Sequence, residues 1–202
     1  MAQIKQINIL DMIKIYGEED CRSILSSFIC PLNKDVENFI HNKSIEFALQ
    51  HIAITFLVFV ENRKQLLFVG YYTLANKFVS ISGNTLSKTM QKRISKFSQY
   101  DTNSRSYLIS MPLIAQLGKN FAYENVNINF TGTELLTLAC NRVLQVQKII
   151  GGKMTYIECS ANQKLYKFYS EHDFVVFGKR EKENEELSDS PHLVQMLKYF
   201  KN

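Results

Sequence analysis

The stretch from Tyr107 to Cys159 constrains this chain more than any other. Tyr107 to Leu117 is strand-like. Thr131-Gly132-Thr133-Glu134 then has the form of a capping box: a Thr placed to hold the third amide of a helix, and a Glu placed to reach back. Leu135, Ala139, Val143, Val146 and Ile150 follow at spacings of 4, 4, 3 and 4, one face of a helix. Gly151-Gly152 stops it, and Met154 to Cys159 is a second short strand. Two strands joined through a helix must lie parallel, and sequential strands of this kind are usually neighbours in one sheet. Pro112 inside the first strand points to an edge position or a bulge.

The rest of the chain adds to that unit. Glu18 to Phe28 reads as a helix stopped near Cys30-Pro31. Asn33 or Asp35 is placed to cap another, running to about Gln50. Ile52 to Val60 and Leu66 to Ile81 are apolar strands around the polar turn Glu61 to Gln65, a hairpin signal. Thr85 to Phe97 puts Leu86, Met90, Ile94 and Phe97 on one helical face, and Gln99 to Ser106 is a polar loop. Ser160-Ala161-Asn162-Gln163 reads as a second capping box before a helix with Leu165, Phe168, Tyr169 and His172 on one side. Phe174 to Phe177 is apolar enough for a strand. Lys179 to Glu186 holds no apolar residue and reads as a solvated linker or a strand end. Beyond Ser190-Pro191, residues Leu193, Val194, Leu197 and Phe200 fit a short C-terminal helix.

The expected architecture is α/β: a mixed, mostly antiparallel central sheet with one parallel βαβ unit, flanked by helices. Residues 1–180 form one domain, and 181–202 a charged linker with a short helix. With 202 residues the chain can bury a sizeable core unaided. The longest clean apolar run, Ile52 to Val60, is less than half a membrane span, so no membrane partner is expected. Residues 1–10 lack the pattern of a secretory leader. Cys21, Cys30, Cys140 and Cys159 make no CxxC pair, and the four histidines no HxxxH spacing, so neither a disulfide framework nor a metal site is expected. Together these favour a reducing cytoplasm. The net charge of +5 tolerates an anionic ligand without announcing a nucleic-acid binder.

Gly118 to Thr131 lies between that strand and the helix opening at Gly132; a helix start so fed offers unpaired amides and a positive dipole end, a candidate pyrophosphate seat. The competing reading is an ordinary capped helix that binds nothing.

Here the residues resemble a known family. IAQLGKN (Ile114 to Asn120), TGTELL (Thr131 to Leu136), YIEC (Tyr156 to Cys159), Ala161-Asn162 and KFYSEHDF (Lys167 to Phe174) resemble the acetyl-CoA-binding half of the GNAT superfamily of N-acetyltransferases. CPLNKDVENFI (Cys30 to Ile40) and VGYYTLA (Val69 to Ala75) resemble a branch common in bacteria that includes toxins. The resemblance spans about residues 25–178. It implies acetyl-CoA as acyl donor and transfer to a primary amine by direct attack in a ternary complex. It implies that Leu117 and Gly118 offer backbone to the pantetheine arm, that Thr131, Gly132 and Thr133 hold the pyrophosphate, and that Asn162 orients the thiol arm. Tyr169 would protonate the departing thiolate. The acceptor would be a small molecule, a peptide or an aminoacyl-tRNA. A second copy of the chain and an antitoxin-like protein are further partners such a resemblance admits.

Three departures from the family pattern stand out. Asn127 and Phe130 occupy phosphate-loop positions where the family has Gln or Arg and Gly. His172-Asp173-Phe174 replaces Asn-Gly-Phe. No carboxylate lies on the strand before the loop, so Glu158 is the nearest base candidate and the base stays unassigned. Tyr169 has a plain alternative as a core aromatic. Lys88, Lys92 and Lys96, with Arg93 beside them, read either as the wet side of a helix or as a polyanion groove. Cys140 and Cys159 read as small buried apolar residues. Two other functions remain: toxin-like acetylation of aminoacyl-tRNA, and a non-catalytic acyl-CoA-binding or interaction module.

Overall fold

The reciprocal cap read at Thr131 is present in the computed structural model. The Thr131 amide donates to Glu134 Oε2 at 2.7 Å, and the Glu134 amide to Thr131 Oγ1 at 3.2 Å. Helix α6 (Gly132–Ile150) follows. It ends where Gly151 and Gly152 take φ of +84° and +102°, values that suit glycine. The structure describes residues 3–63, 65–123, 129–181 and 192–201.

The strands are β1 (Ile4–Asn8), β2 (Ile54–Asn62), β3 (Gln65–Ser82), β4 (Gln99–Asp101), β5 (Ser106–Lys119), β6 (Met154–Ser160), β7 (Val175–Glu181) and β8 (His192–Tyr199). The remaining helices are α1 (Ile9–Tyr16), α2 (Glu18–Leu25), α3 (Lys34–Asn42), α4 (Ser44–Leu49), α5 (Lys88–Ile94) and α7 (Gln163–Glu171). Strand order is β1-β2-β3-β5-β6-β8-β7, with β4 pairing β5. Leu113 stands opposite Tyr156 and Ile114 opposite Ile157 in the parallel β5–β6 ladder, as the βαβ reading requires. The β1–β2, β2–β3, β4–β5, β6–β8 and β7–β8 pairs are antiparallel.

The chain divides into two compact units, residues 1–75 with 115–141, and residues 76–114 with 142–202. The first holds β1, β2, the larger part of β3, the end of β5, the start of α6 and helices α1 to α4. Asn8 caps α1 and Asn33 caps α3. Their apolar faces meet in a core that includes Ile9, Leu25, Phe28, Ile40, Leu57, Phe68 and Tyr71. The Tyr71 hydroxyl donates to the Val36 carbonyl at 2.6 Å, and burial pushes its phenol pKa well up. In the second unit β8 lies between β6 and β7 and buries Leu193, Val194, Met196 and Leu197.

Several expectations are corrected. The C-terminal segment is a strand, not a helix: His192–Tyr199 pairs along both sides. Its apolar doublets fit helical spacing, but a strand buried on both faces shows the same near-continuous run. Pro112 is on no edge, since β5 lies between β3 and β6; it precedes the parallel ladder and its carbonyl accepts from the Thr155 hydroxyl at 2.9 Å. The N-cap of α7 is Asn162, which accepts from the Lys164 amide, while Ser160 belongs to β6 opposite Leu193. The helix expected to Gln50 is two, α3 and α4. The loop 99–106 contains β4. Ile150, expected on the buried stripe of α6, is 66% exposed. The segment 1–16, given no element by the sequence reading, forms β1 and α1 from residue 4 onward. The linker positions 182–191 lie outside the described residues.

Candidate functional site

Leu117, Gly118, Thr131, Gly132 and Thr133 fall in the first unit; Asn162 and Tyr169 fall in the second. In the first unit, Gly70 on β3 is where the end of β5 and the first turn of α6 converge. A Cβ at Gly70 would stand 2.8 Å from the Gly118 carbonyl oxygen and 3.4 Å from Leu135 Cδ2. Gly118 is pressed equally hard. A Cβ there would meet Val36 at 2.5 Å, Phe28 at 2.9 Å and Tyr71 at 3.0 Å. The missing side chain at 118 is thus demanded by packing, whatever the backbone binds.

Asn120 fixes the strand end. Buried to 3% exposure, its Oδ1 accepts from the Ile29 and Ala122 amides at 2.9 and 3.0 Å, and its Nδ2 donates to the Phe68 carbonyl at 2.8 Å. The sequence reading gave Asn120 no role. The partners that bury it, Phe68 and Ile29, are 52 and 91 residues away, so nothing local but the Ala122 turn bond distinguishes it from a surface asparagine.

At the α6 start, the box takes up the Thr131 and Glu134 amides. Phe130 is 2% exposed, so the ring that replaces a family glycine is turned into the core. It is not bulk in front of the helix. Asn127 lies outside the described residues.

In the second unit, Asn162 spends Oδ1 on the Lys164 amide at 2.8 Å as an N-cap. Tyr169 is 8% exposed, its ring edge-on to Phe168 at 5.1 Å and to Phe174 at 5.7 Å. The expected turn glycine is replaced by Asp173 at φ +65°. Aspartate tolerates that left-handed conformation better than most residues. Lys198 on β8 supports the turn, donating to the His172 carbonyl at 2.8 Å and lying 3.6 Å from the Asp173 carboxylate.

Glu158 is tied down on both oxygens: Arg180 Nε donates to one at 2.6 Å and Gln195 Nε2 to the other at 2.8 Å. A carboxylate so held bridges β6, β7 and β8, with both oxygens already engaged. Lys88, Lys92 and Lys96 are exposed, whereas Arg93 stacks over the Tyr199 ring at 4.9 Å and leaves the stripe. Burial raises the Cys159 thiol pKa to about 11 and raises those of Cys21 and Cys30, so these thiols stay protonated and inert. No group of metal-ligating side chains occurs among the described residues, and no helix among them is long and apolar enough to cross a membrane.

No family model and no curated protein sequence matches the chain. Solved structures do. AtaT complexed with acetyl-methionyl-tRNAfMet superposes with a TM-score of 0.61 at 18% identity, covering 95% of this chain and 94% of that one. A tyrosine-to-phenylalanine mutant of KacT gives 0.62 at 17% identity, covering 96% and 95%. A tyrosine-to-phenylalanine mutant of the AtaT toxin, bound to acetyl-CoA and the C-terminus of the antitoxin AtaR, gives 0.55 at 15%, covering 96% and 91%. The chain has the fold of these proteins, the GNAT architecture that the resemblance implied.

Proposed function

We propose that this chain is an acetyl-CoA-dependent N-acetyltransferase that passes an acetyl group to a primary amine. The observation that carries the reading is the shared fold over nearly the whole chain with structures bound to acetyl-CoA and to an acetylated aminoacyl-tRNA. The chain's own residues fit. The capped start of α6 follows β5 in a parallel βαβ unit, and Phe130 is withdrawn into the core.

Acetyl-CoA supplies an activated thioester. Gly132 and Thr133, with Thr131 beside them, would hold its pyrophosphate by amides and dipole. Leu117 and Gly118 would present backbone groups to the pantetheine arm. Asn162 would orient the thiol arm through the side-chain amide group its cap does not use. As the amine's C–N bond forms and the C–S bond breaks, Tyr169 would give its proton to the departing thiolate. A phenol of pKa ~10 is protonated at neutral pH and suits that task. The amine's own proton would leave to water or to the substrate, since Glu158 is engaged elsewhere.

Acetylation of aminoacyl-tRNA is a second reading. It is favoured by the AtaT–tRNA complex and by the exposed Lys88, Lys92 and Lys96. In a toxin of that kind, an antitoxin and a second copy of the chain would be the protein partners.

Thermal melting with and without acetyl-CoA, followed by thiol release with candidate amines and charged tRNA, tests both. Binding at 100 times Kd should add ~2.7 kcal/mol of stability. An unchanged Tm at millimolar acetyl-CoA overturns the donor assignment. A raised Tm without thiol release for any acceptor would support an acyl-CoA-binding module instead. Release with charged tRNA alone selects the second reading.

A further inference from the structure

Tyr169 stands on the last turn of α7, and the residues after that turn fix where its ring lies. The Tyr169 carbonyl accepts two amides, His172 at 3.0 Å and Phe174 at 3.1 Å. Its ring meets Phe174 edge-on at 5.7 Å. Tyr169 is thus tied through backbone and ring to the segment His172-Asp173-Phe174. That segment is where the chain departs from Asn-Gly-Phe. Asp173 takes φ +65°, which glycine adopts freely and an aspartate less readily.

A residue from another element holds this turn. Lys198 lies near the end of β8, with its side chain only 20% exposed. Its Nζ donates to the His172 carbonyl at 2.8 Å, lies 3.6 Å from the Asp173 carboxylate and stands 5.8 Å from the centre of the Phe174 ring. One ammonium thus reaches all three residues of the turn. His172 is the C-cap of α7, so the ammonium also meets the negative end of that helix. The Asp173 carboxylate is 82% exposed, and an ion pair that exposed contributes little. The charged hydrogen bond to the His172 carbonyl is the stronger tie. Lys198 is itself fixed, opposite Thr155 in a strand that lies between β6 and β7.

We propose that Lys198 is a positioning residue for Tyr169: its ammonium compensates for the missing turn glycine by clamping residues 172–174, and that turn sets the ring carrying the donating hydroxyl. Lys198 has this role only if Tyr169 gives its proton to the departing thiolate. A misplacement of about 1 Å can lower a rate on the order of 10²-fold, so a drifting turn is felt at the hydroxyl.

Two measurements on the full chain test this. The first is turnover at saturating acceptor. Lys198→Met keeps most of the side-chain length and removes the charge, and should lower kcat at least ~tenfold. The acetyl-CoA Kd should move by less than ~threefold. Lys198→Arg should stay within ~threefold of the parent kcat, since it keeps the charge and the donors. In a Tyr169→Phe background Lys198→Met should cause no further loss, because two changes acting through one hydroxyl do not add. In an Asp173→Gly background it should also cause little loss, because glycine holds the turn unaided. The second measurement, amide hydrogen exchange, needs no turnover. Lys198→Met should speed exchange of the Phe174 amide at least ~tenfold, with Asp173→Gly restoring protection. The Tyr166 amide, bonded to the Asn162 carbonyl inside α7, should not change.

An unchanged kcat, an equal loss in the Tyr169→Phe or Asp173→Gly background, or unchanged exchange at Phe174 would each overturn the proposal. So would a loss of acetyl-CoA affinity as large as the loss of kcat, which marks general damage to the fold. Should Lys198→Met not fold, Lys198→Gln replaces it in every arm. A parent chain that binds acetyl-CoA and transfers to no acceptor sinks the positioning role together with the acetyltransferase reading. A parent that transfers, beside a Lys198→Met chain that transfers equally well, sinks the positioning role alone.

Discussion

Tyr169 stands where a core aromatic and a proton donor look alike in sequence. Its ring is buried against Phe168 and Phe174, so burial by itself does not decide between the roles. Tyr169→Phe keeps the ring and removes only the hydroxyl. Proton transfer by a positioned side chain is worth ~10²–10⁴-fold, so kcat at saturating acceptor should fall in or just below that range. The acetyl-CoA Kd should move by less than ~tenfold, because its other contacts do not involve this hydroxyl. Steady-state kinetics with titration calorimetry check both. An unchanged kcat would make Tyr169 packing alone, and a large loss of cofactor affinity would make it a binding residue. Asp173 shows the opposite case. Its φ of +65° occupies the place the family pattern gives to glycine, so the pattern located a turn conformation even where the residue departs from it.

At the scale of elements, α6 and β8 differ in how much of their stability is local. The α6 start is stabilised within four consecutive residues, through the paired Thr131 and Glu134 bonds. Replacing an N-cap hydroxyl with a methyl costs about 1 kcal/mol. Thr131→Ala should therefore lower Tm by ~2–4 °C in a chain of this size, as read by a circular dichroism melt. A fall several times larger would mean that Thr131 supports more than its own helix. For β8 nothing local decides. Its residues carry a helical spacing, and the conformation is settled by β6 and β7, which pair with it on either side. Short apolar runs are ambiguous between the two periods, and tertiary hydrogen bonds break the tie.

For the whole molecule, β8 is the last strand in sequence but an interior strand of the sheet. Leu193, Val194, Met196, Leu197 and Phe200 are all at or below 8% exposure. At about 1.5–3 kcal/mol for each buried side chain, their loss approaches or exceeds the ~5–15 kcal/mol that holds a typical domain folded. A chain ending at residue 181 should therefore lose its cooperative melt, or melt at least ~10 °C lower, by calorimetry. A melt like that of the full chain would show that β6 and β7 close directly on each other. An exposed C-terminal helix, as the spacing first reads, would have predicted a nearly silent truncation.

The sequence by itself determined what depends on neighbours along the chain. It located the capped α6 and its glycine stop, the β2–β3 hairpin, the parallel pair around the helix, and through its motifs the GNAT architecture. These are legible because caps, turns and periodicity act over three to seven residues. Tertiary structure alone decided the rest. It set β8 between β6 and β7, bound Glu158 to Arg180 and Gln195, turned Phe130 inward, and left Gln147 Oε1 unpaired among the described residues. Each of these depends on partners from other elements, and a buried polar atom's surroundings exist only once those elements have packed.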